Sequence, residues 1–223
     1  MPRRGLFLLL PLLLLTVLAY PRLRHRYARY QQAQAASKAV QQISSRLRNG
    51  DLIFQTSRSA QSRAIQLATH SAYSHCGILF KKDGEWRVFE AVQPVGETSL
   101  AAWTARGQKG TFVVKRLHDA ETVLTPAVLQ RLQAAGERYR GKNYDLYFGW
   151  SDERIYCSEL LWKMYRQATG REIGKLQTLR EFDLSHPVVQ AKLQERYGKR
   201  IPLHEQVISP VRMLKSKELV TVL

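Results

Sequence analysis

Apolar positions divide the chain into an uncharged N-terminal run, a polar helical stretch, and a longer region in which short strands lead into amphipathic helices. Leu6 to Ala19 carry no charge and follow Arg3 and Arg4. That is the layout of a signal peptide or signal anchor. As helix, the stretch from Gly5 to Pro21 would reach about 25 Å, marginal against a hydrocarbon core of about 30 Å. From Tyr27 to Leu47 the chain is rich in Ala, Gln and Arg, with Val40, Ile43 and Leu47 at helical spacing and Asn49-Gly50 as a stop. The expected organisation is a leader over residues 1–21, a basic helical linker over 22–48 and a folded domain over 49–223.

Within the domain, Gly50 to Gln55 reads as a short buried strand, and Ser57 or Ser59 caps a helix burying Ala60, Ala64, Ile65, Leu67 and Ala68. His75 to Phe80 reads as a second strand. It turns at Lys82-Asp-Gly84 into an alternating partner, Trp86 to Val92. Thr111 to Leu117 forms a further strand. Thr125-Pro126 opens a helix through Val128, Leu129, Leu132 and Ala135. After the polar stretch from Ser151, the pattern turns helical at Cys157, with Leu160, Leu161, Met164, Tyr165 and Ala168 on one face and Gly170 as a stop. Val188 to Tyr197 reads as helix, Ile201 to Ile208 as extended, and Leu219 to Leu223 as an apolar tail.

Cys157 therefore sits at a helix N-terminus, where the exposed N–H groups favour thiolate over thiol. Many unpaired cysteines are small buried hydrophobes, so a partner is needed before this one becomes a nucleophile. The predicted hairpin supplies candidates. Counting outward from its turn brings His75 and Glu90 to the same open end, on strands about 4.8 Å apart. Glu90 could then bond one imidazole nitrogen and leave the other for Cys157. Successive strand residues face opposite ways, so Cys76 is expected to point away from the site, into the core or under a helix, where a thiol is inert.

Composition changes the picture in two places. A formal charge of +17 on 223 residues implies attraction to polyanions such as anionic lipid or an acidic cell wall. The chain lacks zinc-finger spacing and RNA-binding aromatic signatures, so no specific nucleic acid is expected. Two cysteines, Cys76 and Cys157, make no disulfide framework. No cofactor or metal is expected. Arg22, Arg24, Arg26 and Arg29 after the apolar run outnumber the arginines before it, which favours keeping that side cytoplasmic. Export or anchoring toward the envelope is the preferred reading of the leader.

The order His–carboxylate–Cys resembles the circularly permuted papain-fold cysteine hydrolases of the NlpC superfamily, specifically the YiiX-like group. The segments that carry the resemblance are Gly50 to Gln55, Ala64 to Ser71, Tyr73 to His75, Val88 to Val92, Gly141 to Asp145 and Tyr156 to Glu159. Glu181 to Ser185, Val189 to Leu193, Glu195 to Gly198, Ile201 to Leu203 and Ser209-Pro210 extend it over about residues 49 to 215. Cys76 beside the histidine and the long basic stalk depart from the group's pattern. The resemblance implies an α+β, papain-like fold with an antiparallel sheet packed against helices and the cysteine helix after the sheet. It implies Cys157 as nucleophile, His75 as base and Glu90 as the orienting third member. Tyr156 and the Cys157 N–H are candidates for the oxyanion site.

Three functions follow as expectations. The first is a thiol peptidase or amidase acting on peptidoglycan peptides in the bacterial envelope, anchored to the inner membrane or periplasmic. The second is a lipid acylhydrolase or acyltransferase, favoured if a wide apolar groove lies beside Cys157. The third is a non-enzymatic envelope binding module, which the presence of His75, Glu90 and Cys157 together argues against.

Overall fold

The computed structural model describes residues 20, 23–24, 26–28, 30–31 and 34–223. Apart from residue 20, the expected leader lies outside these. No helix among the described residues is long and apolar enough to cross a membrane.

The strands are β1 (Leu52–Gln55), β2 (His75–Lys82), β3 (Glu85–Glu90), β4 (Gly96–Ser99), β5 (Phe112–Leu117), β6 (Asn143–Tyr144), β7 (Arg154–Ile155), β8 (Gln177–Thr178), β9 (Gln206–Val207) and β10 (Leu219–Thr221). Six of them form one sheet in the order β10-β5-β1-β2-β3-β4, antiparallel throughout. The β2–β3 hairpin turns through Asp83 and Gly84, both at positive φ, as a two-residue turn of matching twist requires. β6 and β7 pair in parallel, and β8 and β9 antiparallel.

Alternation along the strands sends side chains into two cores. Leu52, Phe54, Cys76, Ile78 and Phe89 face the helix Cys157–Thr169. Ile53, Leu79, Val88 and Val114 face the other way, onto Leu47, Leu100 and Trp103. The cysteine helix buries the predicted face: Leu160, Leu161, Met164 and Tyr165 are solvent-free. Burying each such side chain stabilises the fold by about 1.5–3 kcal/mol. The helix Pro126–Glu137 lies against it so closely that a Cβ at Gly136 would meet Met164 Cε at 2.9 Å. A larger residue there would have to displace the Met164 side chain or the Phe89 ring.

The linker ends on the opposite face. Residues 34–43 are helical, Val40 and Ile43 pack against the second core, and Trp86 Nε1 donates to Ser44 Oγ at 3.0 Å. Three features differ from the pattern-based expectation. β3 stops at Glu90, two residues early, which frees the chain beyond it to turn into β4 and the helix Leu100–Arg106. Of the extended stretch expected from Ile201 to Ile208, just Gln206–Val207 forms a strand. The apolar tail is an edge strand, with Leu219 opposite Leu117 on β5.

Candidate active site

Cys157 is the first residue of its helix, with Tyr156 as N-cap, so its backbone N–H has no partner within the helix. Its side chain lies almost wholly out of solvent, between the helix N-terminus and the start of β2. His75, the first residue of β2, lies near enough to Cys157 for their interaction to shift both groups. Its Nε2 donates to Glu90 Oε2 at 2.6 Å, leaving Nδ1 as the nitrogen for the sulfur. The imidazole also stacks on Trp103, with ring centroids 6.1 Å apart.

Glu90 is fully buried, a position that costs several kcal/mol for an unpaired carboxylate. Here four donors meet its two oxygens. Trp103 Nε1 joins His75 on Oε2 at 2.9 Å. Thr98 Oγ1 donates to Oε1 at 2.6 Å, together with Arg106 Nη2. Burial alone would raise the carboxyl pKa, but the His75 bond, the charges of His75 and Arg106 and the Thr98 bond together hold it below the usual value. Burial would likewise lower His75; its bonds to Cys157 and Glu90 outweigh this and raise it to about 9.

The sulfur has a third neighbour that the alternation argument had sent elsewhere. Cys76 does lie on the opposite side of β2 from His75, in the core on the side that faces the cysteine helix, and its interaction with Cys157 shifts both thiols. This interaction is the largest influence pulling Cys157 well below an ordinary thiol; burial opposes it, and the interaction with His75 and its charge add to the pull. Cys76 itself is pushed well above the usual range, by burial first and then by its bond to Cys157 and the negative charge there. The two shifts run in opposite directions, so Cys157 is the one that gives up its proton first.

Tyr144, on β6, lines the same cleft as Cys157; burial and that sulfur's charge raise its phenol well above an ordinary tyrosine. Its proton has a defined direction. Arg196 Nη2 donates to Gln61 Oε1 at 3.0 Å, and Gln61 Nε2 donates to the Tyr144 oxygen at 3.2 Å. The hydroxyl, accepting from Gln61, is left to donate toward Cys157. Tyr156, the sequence-based candidate for this place, is committed elsewhere: its hydroxyl accepts from Ile208 N–H at 3.0 Å, and its ring meets Phe148 edge-on.

The sequence pattern supplied His75, Glu90 and Cys157, which the fold brings together. It missed Thr98, Trp103 and Arg106 because no element was assigned between β3 and β5. The available signal was Ser99 as an N-cap with Leu100 and Trp103 at helical spacing. Tyr144 stood in a segment quoted for its resemblance, without a role.

The model of the permuted papain-like amidase family, YaeF/YiiX, C92 family, matches residues 46–223. The chain belongs to this family. It is a cysteine hydrolase of that family, with the circularly permuted papain-like fold in which the cysteine helix follows the sheet. The uncharacterized protein YiiX of Escherichia coli strain K12 is 53% identical over 173 residues, covering 78% of this chain and 84% of that one. A crystal structure described as metalloprotein yiiX from Escherichia coli O157:H7 is 52% identical, with a TM-score of 0.75, and the match covers 79% of this chain and 96% of that one. Among the described residues no cluster of three or more His, Cys, Asp or Glu side chains is arranged to hold a metal ion. Near Cys157, His75 and Glu90 are bound to each other and form no free ligand set for a metal.

Two clefts meet at Tyr144 and Gln61. One opens on Cys157 and is walled by Ala64, Ile65, Phe182, Leu193 and Val207. The other opens on His75 and is lined by serines, glutamines and Arg106. The first is apolar along nearly its whole lining; the second presents more polar groups, although most of its lining surface is still apolar.

Proposed function

We propose that the protein is an amidase for amides of aliphatic acids, with Cys157 as nucleophile, His75 as proton carrier and Glu90 as the group that orients it. The observation that carries the substrate class is the apolar cleft ending at Cys157 and not lined by His75. In thiol hydrolysis the leaving amine departs past the imidazole that protonates it, so a cleft reaching the sulfur but not the imidazole takes the acyl side. Aliphatic chain fills such a cleft well; the charged and amide-rich peptides of a cell wall would leave polar groups there unpaired.

The chemistry follows from the partners. Cys157 thiolate attacks the carbonyl carbon, and the carbonyl π electrons move to oxygen. That oxyanion is stabilised by the Cys157 N–H at the helix N-terminus and by the Tyr144 hydroxyl, a pair of donors already aimed at the sulfur's surroundings. Collapse breaks the C–N bond as the His75 imidazolium gives its proton to the leaving nitrogen, and a thioester remains. Neutral His75 then takes a proton from water; the resulting attack releases the carboxylic acid and restores thiolate and imidazolium. Glu90 holds Nε2–H throughout, which fixes the ring and favours its charged form.

The test is a comparison of acyl donors. N-dodecanoyl amides and defined peptidoglycan stem peptides are incubated with the protein, and the Cys157 peptide is searched by mass spectrometry for an acyl adduct. A dodecanoyl thioester with turnover is the expected result. Peptide turnover without any dodecanoyl product would overturn the proposal in favour of the wall-peptide reading, which the net charge of +17 supports.

A further inference from the structure

The cleft at His75 is the other half of the substrate's outline. It contains His75, so it lies where the leaving group departs, and its wall facing the imidazole carries Arg106. The Arg106 side chain is 45% exposed although one arm of it binds Glu90. A guanidinium has five N–H donors in a planar fork, so holding Glu90 with Nη2 does not exhaust it. Gln55 and Ser57, at the end of β1, line the same cleft. Gln55 is 2% exposed, and its Oε1 has no hydrogen-bond partner. Among the described residues, no Asp or Glu lines this cleft. Glu90 lies behind the imidazole, fully covered and satisfied by four donors.

A cleft whose polar lining includes a half-exposed guanidinium and an imidazole but no carboxylate suits an anion. The apolar cleft is built for the reverse. Tyr144, Gln61 and Ile65 line both, so the two chambers meet at one divider, beside the sulfur and the imidazole. A substrate filling both has its scissile bond at the junction.

Resting on the acyl-amide reading above, we infer that Arg106 is a specificity-determining residue: the leaving amine carries an anionic group, a carboxylate or a phosphate, a few atoms from the scissile nitrogen, and Arg106 receives it. The substrate class is thus an anionic N-acyl amphiphile. The same arginine supports Glu90, which ties recognition of the anion to the orientation of His75.

The experiment uses four dodecanoyl amides. N-dodecanoylglycine and N-dodecanoyl-O-phosphoethanolamine carry the two kinds of anion; N-dodecanoylglycinamide and N-dodecanoylethanolamine are their neutral counterparts. For the full chain, kcat/KM is expected to favour at least one anionic amide over its counterpart by about 10-fold or more, the scale of a charge-assisted hydrogen bond. Which pair shows the larger ratio distinguishes carboxylate from phosphate. Arg106→Gln lowers turnover of all four through Glu90, so the readout is the ratio, which should fall to near unity. Arg106→Lys should restore part of it. Turnover with equal rates for anionic and neutral amides in the unmodified protein overturns the anion site and leaves the acyl-amide reading standing. If no dodecanoyl amide is turned over, that reading fails, and titration of Cys157→Ala with N-dodecanoylglycine and N-dodecanoylglycinamide decides the anion site separately. Tighter binding of the anion, lost in Cys157→Ala/Arg106→Gln, sustains it; equal or absent binding overturns it.

Discussion

Two buried cysteines influence each other beside the cysteine helix, and their surroundings make opposite acids of them. Cys157 belongs to a helix N-terminus and faces an imidazole, a phenol and a thiol, all able to donate to it. Cys76 belongs to the interior of β2, buried in the core between Phe54 and the cysteine helix, and is kept protonated by burial and by the charge next to it. The difference teaches that burial alone does not decide a cysteine's chemistry. Both are buried; what separates them is the number of donors aimed at each. Cys76 is the donor and Cys157 the acceptor, so a residue that looks inert helps to hold its neighbour's charge.

Substitutions at the two ends of this comparison should differ by orders of magnitude. Cys157→Ala removes the nucleophile, and hydrolysis is expected to fall on the order of 10⁴-fold or more. A folded Cys157→Ala protein with turnover within 10-fold of the parent would break the contrast outright. Next in size is Glu90→Gln. It keeps the shape but removes the charge that favours imidazolium, so kcat should drop about 10²- to 10⁴-fold. The sign of the accompanying pH effect is fixed: His75 is held up at about 9, and losing the anion lowers it. The alkaline limb of the rate profile, near pH 9 in the parent, should move to lower pH. A limb that stays in place would show that Glu90 does not set it.

Tyr144→Phe sharpens the comparison at the donor side. It deletes one donor to the sulfur and to the nascent oxyanion, and a loss of about 10²-fold in kcat with little change in KM is expected. Equal loss in a Tyr156→Phe protein, whose hydroxyl serves Ile208, would point to a general loosening of the helix N-terminus. Cys76→Ala should have the smallest effect. The thiolate loses a donated S–H, so the Cys157 pKa rises and turnover at acid pH falls a few-fold, with activity above neutrality nearly intact. Inactivation of a folded Cys76→Ala protein at every pH would reverse the roles of the two sulfurs.

Much of this was legible in the sequence, and the parts that were not share a cause. Periodicity found the cysteine helix and the β2–β3 hairpin because each buries one regular face, and the Asp83-Gly84 turn fixed which residues share an end. Glu90 with His75 followed from that count. Its other partners did not, since β4 is four residues long with an irregular burial pattern and leaves no alternation to read. The Cys76 position was legible; its influence on Cys157 was not. Alternation correctly put His75 and Cys76 on opposite sides of β2, but Cys157 sits at the end of the sheet, where a ring from the first strand residue and a thiol from the second both reach it. Strand parity gives faces, not distances around an edge.

The most direct test of the thiolate–imidazolium site is the pH dependence of alkylation. Iodoacetamide is reacted with the unmodified protein from pH 4 to 10 in trace amounts, and the modified cysteine is identified by peptide mass. The account predicts labelling of Cys157 at a rate already on its plateau at neutral pH, changing near pH 9 as His75 loses its proton, with Cys76 unlabelled in the folded protein. A Cys157 rate that begins to rise only near pH 8.5, as for a free thiol, or preferential labelling of Cys76, would contradict it.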